Sequence, residues 1–176
     1  MIFKPLSLTG AWLIEPEPYR DDRGTFARTF CAEEFAANGL AITFPQHSLA
    51  LTKARGTMRG MHFQRQPHAE IKLVRCVAGA VYDVIIDLRP KSATYGRWLG
   101  FELTQANGHQ IYVPEGFAHG CQTLTDDASV QYLISKPYAP EAASGVRYND
   151  PAFAITWPLP VTAISDRDAA WPLLKT

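Results

Sequence analysis

The chain is a succession of short β-strand patterns, each ended by turn-forming residues. Apolar or alternating segments are separated at close intervals by glycine, proline, asparagine and aspartate. The segments are ITFPQHSLALT, EIKLVRCV, AVYDVIIDL, RWLGFEL, QIYVP and SVQYLIS. Many short strands with regular turn signals predict an all-β sandwich or barrel.

One helix and an irregular tail complete the pattern. The segment CAEEFAANG, residues 31–39, has helical composition and ends in the stop signal Asn38-Gly39. After Asp150 the chain is rich in proline and tryptophan, which predicts irregular structure packed over the core with one helical turn. No repeat or linker divides the 176 residues, so we expect a single domain over residues 1–176.

Charge and cysteine content limit the classes of function. Seventeen basic and seventeen acidic residues cancel, so no net charge favours nucleic acid or a membrane surface. Neither a signal peptide nor a membrane-spanning apolar run is expected. The three cysteines lack metal-site or redox spacing, which predicts reduced thiols and a cytoplasmic location. An anionic ligand would therefore need a local cluster of cations.

Ionisable side chains alternate with apolar ones along three predicted strands. Lys72 and Arg75 lie on opposite faces of one strand, each among apolar neighbours, and alternation alone does not tell which face is interior. Tyr132 and Asp83 share their faces with apolar residues that point inward. A structural core rarely buries so many ionisable groups without partners, so the barrel is expected to hold a ligand cavity.

Two glycine-containing segments resemble the motifs of the cupin fold, a double-stranded β-helix or jelly roll. The first runs from Gly60 through His62 to Gly79, and the second runs from Gly108 to His119 in a pattern close to G-x5-P-x-G-x2-H. The expected fold is thus an all-β, cupin-like jelly roll with a short N-terminal helix and an irregular C-terminal segment.

Cupins often bind metal, so a metal-dependent oxygenase or isomerase is one candidate. The first cupin motif normally supplies two histidines one residue apart and a glutamate. Here Gln64 takes the second histidine place, and an amide is a poor ligand for divalent transition metals. His68 and Glu70 could still join His62 and His119 around a metal, but Gln64 favours a site without one.

The order of five motifs resembles the dTDP-4-dehydrorhamnose 3,5-epimerase family. The motifs are DDRGTF, MRGMHFQ, IKLVRCVAGAVYDVIIDLRP, YVPEGFAHG and ISDRD, and they span the chain. The resemblance implies an epimerase without metal or other cofactor, usually a homodimer. It would invert C3 and/or C5 of a dTDP- or other NDP-linked 4-keto-6-deoxyhexose in deoxysugar biosynthesis of the dTDP-rhamnose type.

The resemblance also implies four catalytic residues. The ketone acidifies the protons on C3 and C5, so inversion needs a base, an acid across the ring and a donor for the enolate oxygen. His62 matches the base, and imidazole suits that task because its ordinary pKa is about 6.5. Asp168 would pair with the imidazole. Tyr132 matches the opposite acid, and Lys72 matches the donor near the oxyanion.

Each of these residues also has a structural interpretation. His62 could be a buried histidine with satisfied hydrogen bonds, and Tyr132 a core tyrosine with a tethered hydroxyl. Lys72 could neutralise Asp83. His119 stands where cupins place a metal ligand, and without metal it is expected to bind the sugar or tune the base. Asp83 has two candidate partners, His119 and Lys72, which the sequence does not distinguish.

A second set of residues is expected to bind the nucleotide. Arg59 lies beside the base, and the planar guanidinium suits diphosphate oxygens. By resemblance, Arg23 reaches the substrate across the dimer interface and Gln46 contacts the nucleotide. Phe26 and Tyr138 are the candidates for packing on the nucleobase.

Two departures from the family pattern leave specificity open. Where the family reads F-x-E-x-F, this chain has Arg28 in place of the glutamate, which exchanges a hydrogen-bond acceptor for a donor. Where the family reads Q-x-N-x-S, this chain has Ser48 in place of the asparagine and Ala50 in place of the serine. Double inversion is expected over single inversion. A 3- or 5-monoepimerase on a different NDP-4-keto sugar and a non-catalytic sugar-nucleotide binding module are two further candidate functions.

Overall fold

The computed structural model describes residues 1–174, and within them the chain forms thirteen strands and two short helices. The strands are β1 Ile2–Pro5, β2 Trp12–Glu15, β3 Tyr19–Asp21, β4 Gly24–Phe26, β5 Gln46–Thr52, β6 Met58–Gln64, β7 Lys72–Ala78, β8 Ala80–Asp87, β9 Trp98–Thr104, β10 Gln110–Val113, β11 Phe117–Thr123, β12 Ala128–Ile134 and β13 Ala143–Gly145. The helices are α1 Ala32–Ala37 and α2 Asp166–Ala169. The six strands predicted from sequence are β5, β7, β8, β9, β10 and β12.

Two antiparallel sheets pack face to face and form a jelly roll. The six-stranded sheet has the order β1-β2-β10-β7-β12-β5, and the five-stranded sheet has the order β13-β6-β11-β8-β9. Strands β3 and β4 form a separate hairpin. Buried residues from both sheets, such as Val74, Val130 and Ile85, form one cluster between them. The predicted cupin-like, all-β fold is confirmed.

The packing also decides which face of β7 is interior. Val74 and Cys76 belong to the cluster between the sheets, whereas Leu73 packs on the outer side of the six-stranded sheet. Because side chains alternate along a strand, Lys72 points to the inner side with Val74. Tyr132 packs against the same inner cluster, as its alternation predicts.

Helix α1 covers the outer side of the six-stranded sheet. Its residues are good helix formers. Asn38 is the C-cap, and Gly39 follows with a left-handed φ of 69° that glycine adopts without strain. Phe35 is fully buried, with its ring 5.3 Å from that of Phe3 and 4.7 Å from that of Phe30 between centroids. The aromatic cluster fixes the helix to the sheet.

The C-terminal segment covers the outer side of the five-stranded sheet. Phe153 and Trp157 pack with Val84 and Ile86 of β8, and the indole of Trp98 donates to the Phe153 carbonyl at 2.9 Å. As far as residue 174 the segment is irregular except for a single β-bridge and α2, so the predicted helical turn is confirmed. Neither helix within residues 1–174 has the length and apolarity needed to cross a membrane.

We expect Phe35→Ala to lower the free energy of unfolding by about 3–5 kcal/mol, because it removes a fully buried ring and leaves a cavity. Urea denaturation followed by circular dichroism measures the change. Glu33→Ala on the exposed side of the same helix is the control and should alter stability by less than about 0.5 kcal/mol. Equal effects of the two substitutions would contradict the role of the aromatic cluster.

Candidate active site

A cavity of about 290 Å³ opens between the two sheets. One wall comes from β5, β7 and β12 of the six-stranded sheet, and it carries Lys72 and Tyr132. The other wall comes from β6, β11 and β13, and it carries His62 and His119. Helix α2 contributes Asp168 at the rim of this second wall. The four residues predicted to be catalytic therefore line one cavity from both sides.

Among the described residues that line the cavity, His62 and Asp168 make the shortest polar contact. His62 Nε2 lies 2.6 Å from Asp168 Oδ1, although the two residues are 106 positions apart in the chain. The carboxylate is nearly buried, with 8% of its side chain exposed, whereas the imidazole is 43% exposed. An ionised carboxylate can only accept, so this contact assigns the proton of a neutral His62 ring to Nε2 and leaves Nδ1 as the acceptor nitrogen.

Local hydrogen bonds hold the Asp168 carboxylate in place. Ser165 caps α2 by accepting from the Asp168 amide at 3.2 Å. Asp168 Oδ2 accepts from the Gly60 amide at 3.2 Å, and Oδ1 accepts also from the Trp171 indole at 3.3 Å. Burial alone would raise the pKa of Asp168, but the bonds from His62, Gly60 and Trp171 outweigh it, and the pKa is lowered.

Lys72 is fixed by two partners beside His62. Its Nζ lies 3.0 Å from Glu70 Oε1 and donates to the His62 carbonyl at 3.2 Å. Only 12% of the Lys72 side chain is exposed. An ammonium has three donor hydrogens, so one hydrogen is left for an oxygen in the cavity. The sequence suggested Asp83 as a partner of Lys72, but Glu70 takes that place.

His119 pairs with Asp83 behind the cavity. The His119 Nε2 atom lies 2.7 Å from Asp83 Oδ2, and both side chains are buried. Of the two candidate partners of Asp83, the structure thus selects His119. The other carboxylate oxygen, Oδ1, has no hydrogen-bond partner among the described residues. Since His119 faces His62 in the pairing of β11 with β6, the two imidazoles lie side by side on one wall.

Tyr132 lies on the opposite wall, next to His119. Their rings are 5.9 Å apart between centroids and nearly perpendicular. Burial, followed by the nearby Cys121 and Asp83, raises the pKa of Tyr132 well above its ordinary value. Burial also raises the pKa of the Cys121 thiol to about 12. The Tyr132 hydroxyl is therefore held in its protonated form.

Three cations line the cavity without an ion pair among residues 1–174. They are Arg59, Lys136 and Arg167. Within the described part of the chain, Arg59 donates only to neutral oxygens, to Thr52 Oγ1 at 2.9 Å and to the Leu51 carbonyl at 3.4 Å. The two acidic groups of the cavity are already paired, so its free charge is positive and suits an anionic ligand.

The remaining predicted residues divide into two groups. Gln46 and Tyr138 line the cavity, where Gln46 Oε1 accepts from the Tyr138 amide at 2.8 Å. Arg23 and Phe26 instead lie on the β3–β4 hairpin, away from the cavity of their own chain. Both are exposed, and Arg23 pairs with Asp21 of the same hairpin.

The candidate metal site is not assembled within residues 1–174. No group of three or more His, Cys, Asp and Glu side chains in this part of the chain is arranged to hold a metal ion. The Gln64 side chain instead links two backbone segments: it donates to the His68 carbonyl at 2.9 Å and accepts from the Ala139 amide at 2.7 Å. His68 lies 3.7 Å from Glu141, and Glu70 pairs with Lys72.

Comparison with known proteins decides the family. The family model of dTDP-4-dehydrorhamnose 3,5-epimerase matches residues 5–176. This chain belongs to that family. Its sequence is 43% identical to that of a dTDP-4-dehydrorhamnose 3,5-epimerase of Methanothermobacter thermautotrophicus, over 98% of this chain and 94% of that protein. It is 40% identical to a dTDP-4-dehydrorhamnose 3-epimerase of Streptomyces niveus, over 96% and 81% of the two chains.

The fold agrees with solved structures of the same family. The crystal structure of dTDP-4-dehydrorhamnose 3,5-epimerase from Bacillus anthracis, with TDP and PPi bound, superposes with a TM-score of 0.94. That protein is 40% identical in sequence, and the match covers 96% of this epimerase and 97% of that chain. The predicted family is therefore confirmed from both sequence and structure.

Sequence reasoning missed several residues of this epimerase site. Arg167 stands inside the ISDRD motif and Lys136 follows β12, and both are cations in positions that a search for diphosphate ligands could have marked. Glu70 was considered only as a metal ligand. Trp171 gave no signal, because its contact with Asp168 depends on how the tail turns after α2.

We expect Asp168→Asn to make the free energy of unfolding less dependent on pH in the acid range. The folded-state pKa of Asp168 lies below its ordinary value of 3.8, so the carboxylate stabilises the fold above that pH, and this contribution is lost as the pH falls through the folded-state pKa. The variant should lose about 1–2 kcal/mol of unfolding free energy at neutral pH, and the difference from wild type should shrink below about pH 4. Urea denaturation at several pH values measures it.

The control is Asp166→Asn, which changes an exposed carboxylate on the same helical turn. It should alter stability by less than about 0.5 kcal/mol at any of these pH values. A stability difference for Asp168→Asn that stays constant as the pH falls would show that the ionised carboxylate is not the stabilising form.

Proposed function

We propose that this chain is a cytoplasmic, metal-independent epimerase that inverts C3 and C5 of an NDP-linked 4-keto-6-deoxyhexose. The proposed nucleotide is dTDP, and the proposed pathway is deoxysugar biosynthesis of the dTDP-rhamnose type. The single observation that supports it best is the arrangement of the cavity, with the His62–Asp168 pair on one wall and Tyr132 on the other. A base and an acid on opposite walls can act on opposite faces of one sugar ring.

His62 removes the proton next to the ketone. The free Nδ1 accepts the proton, the C–H electron pair moves into the enolate, and the imidazole becomes an imidazolium. Asp168 stabilises that imidazolium through the 2.6 Å contact at Nε2, as a carboxylate does for a catalytic histidine. The near-complete burial of Asp168 keeps water from weakening this interaction.

Lys72 stabilises the negative charge on the enolate oxygen. Glu70 and the His62 carbonyl occupy two of its donor directions, which orients the third toward the cavity. Because the ammonium is already fixed before the reaction, little reorganisation is needed as the charge develops. The His62 carbonyl also ties the position of the donor to that of the base.

Tyr132 returns a proton to carbon from the other face. Its raised pKa keeps the hydroxyl protonated until a strongly basic enolate carbon is presented. Protonation leaves a phenolate, and net transfer of one proton from the His62 imidazolium restores both groups before the next inversion. The same pair can serve C3 and C5, because both carbons flank the ketone.

The free cations support a diphosphate-linked substrate. Arg59, Lys136 and Arg167 surround the cavity, and none is neutralised by a carboxylate of the described chain. A nucleotide diphosphate carries about two negative charges, which these groups can bind through charge-assisted hydrogen bonds. The B. anthracis relative was crystallised with TDP and PPi, which is consistent with this assignment.

A 3-monoepimerase is the second candidate function, and one observation favours it, the 40% identity to the S. niveus 3-epimerase. The same cavity residues would then act at C3 only. Incorporation of deuterium into C3 and C5 separates the two activities directly.

We also infer a homodimer that completes the site. Leu49 and Leu51 point away from the cavity on edge strand β5 and are 63% and 61% exposed. Phe26 on the hairpin is 73% exposed. A second copy would cover these apolar side chains, and the hairpin would bring Arg23 toward the cavity of the partner chain.

We expect His62→Asn to lower deuterium incorporation into C3 and C5 of dTDP-4-keto-6-deoxyglucose by at least about 10³-fold, because it removes the base. The reaction runs in D₂O with a chelator and is followed by NMR. Wild-type protein that incorporates no deuterium would rule out the proposed chemistry on this substrate, and full activity of His62→Asn would overturn the assignment of the base.

Tyr132→Phe provides the matched comparison within the same experiment. It retains His62 and should still exchange deuterium, because the base can return the proton to the face from which it came. Inversion at C3 and at C5 should fall by about 10²-fold or more, because Tyr132 is the proposed acid for both carbons. Equal loss of exchange and inversion would contradict the placement of the acid opposite the base.

We expect Leu51→Glu to convert a dimer into a monomer, because it introduces a charge into the apolar surface of β5. Light scattering after size-exclusion chromatography measures the mass. Tyr95→Glu, at an exposed position of the β8–β9 loop, is the control and should leave the dimer intact. A wild-type chain that is monomeric at micromolar concentration would refute the inferred assembly.

A further inference from the structure

Trp171 contacts both members of the His62–Asp168 pair. It lies three residues beyond Asp168, just after the end of α2, where the chain turns its ring back to the carboxylate. Its Nε1 donates to Asp168 Oδ1 at 3.3 Å, the same oxygen that lies 2.6 Å from His62 Nε2. The indole also packs edge-on against the His62 ring, with 6.2 Å between centroids and 70° between planes.

Close packing against β13 of the five-stranded sheet holds the Trp171 indole in this position. Gly145 on β13 is opposite His62 in the strand pairing, and a Cβ there would lie 2.6 Å from the Trp171 Nε1 atom. A side chain at residue 145 would therefore displace the ring. Arg147 Nε donates to the Trp171 carbonyl at 2.9 Å, and the Arg167 guanidinium lies 5.2 Å from the ring centroid.

Trp171 does not line the cavity, although its two partners do. Its contacts to the cavity are with Asp168, His62 and the Arg167 guanidinium. An effect on kcat is expected to pass through Asp168 and His62, whereas an effect through Arg167 would act on substrate binding and change KM. Within the described residues, the Asp168 carboxylate has one donor on Oδ2, the Gly60 amide, and two on Oδ1. The indole donor fixes the rotation of the carboxylate, and the ring restricts the imidazole from one side.

We propose that Trp171 is a positioning residue for the His62–Asp168 pair, an assignment that rests on the proposed function. It keeps Asp168 Oδ1 in line with His62 Nε2 so that Nδ1 of the imidazole faces the substrate. Hydrogen bonds to carboxylates orient the groups that act on a substrate in many sites. The competing interpretation is that Trp171 only anchors the tail to the sheet.

Trp171→Phe separates the two interpretations, because it keeps an aromatic ring and removes the indole donor. For deuterium exchange at C3 we expect kcat to fall about tenfold with KM unchanged, as for an interaction that acts on the reacting pair and not on substrate binding. Gly145→Ala should reproduce the loss of kcat by displacing the ring while Trp171 itself is retained.

Trp157→Phe is the matched control. That indole donates to the Tyr148 carbonyl at 2.9 Å and packs over the outer side of the five-stranded sheet. Its loss should change kcat less than twofold. Thermal unfolding of all variants verifies that the fold is kept.

A second readout needs no turnover. The proton between His62 and Asp168 should give a low-field resonance in the proton NMR spectrum of the substrate-free protein, and His62→Asn should remove it. Trp171→Phe should shift this resonance, and Trp157→Phe should leave it in place. Failure of the proposed function would appear as wild-type protein without exchange, whatever the spectrum shows.

The proposal is overturned if Trp171→Phe leaves both kcat and the resonance unchanged, which would assign Trp171 to anchoring of the tail. It is also overturned if KM rises while kcat is preserved, because the ring would then belong to the substrate-binding wall.

Discussion

The 2.6 Å contact between His62 and Asp168 is the interaction on which the site depends. It joins β6 to the last helical turn of the described chain, so it depends on the packing of the tail over the five-stranded sheet. The aromatic residues of that tail are therefore part of the site indirectly. They secure the carboxylate against an imidazole that stays open to the cavity, which is the combination that a carbon base requires.

The jelly roll contributes a second constraint, because it provides two walls that face each other. His62 and His119 are neighbours on one sheet, while Lys72 and Tyr132 come from adjacent strands of the other. The proposed acid and base can face opposite sides of one sugar ring because they come from different sheets. The strand alternation that buries the core also directs these polar groups into the same space.

Local sequence pattern was sufficient for the strands with strong alternation and for helix α1. It did not identify β1, β2 or the β3–β4 hairpin, which are short and weakly patterned. It also did not identify β13, which pairs with β6 from a distant part of the chain, or β6 and β11 themselves, which carry His62 and His119. The four residues that the motifs singled out, His62, Lys72, Tyr132 and Asp168, lie around one cavity. Pairings such as Lys72 with Glu70 depend on side-chain geometry that periodicity does not encode.

The alternation of side chains along strand β5 limits how this sequence can change in evolution. Its residues alternate between the cavity, with Ser48 and Ala50, and the opposite surface, with Leu49 and Leu51. A slip of one residue in its pairing with β12 would exchange these two sets. An insertion or deletion in this strand would therefore disturb both the cavity wall and the proposed dimer surface, so we expect both to change by point substitution alone.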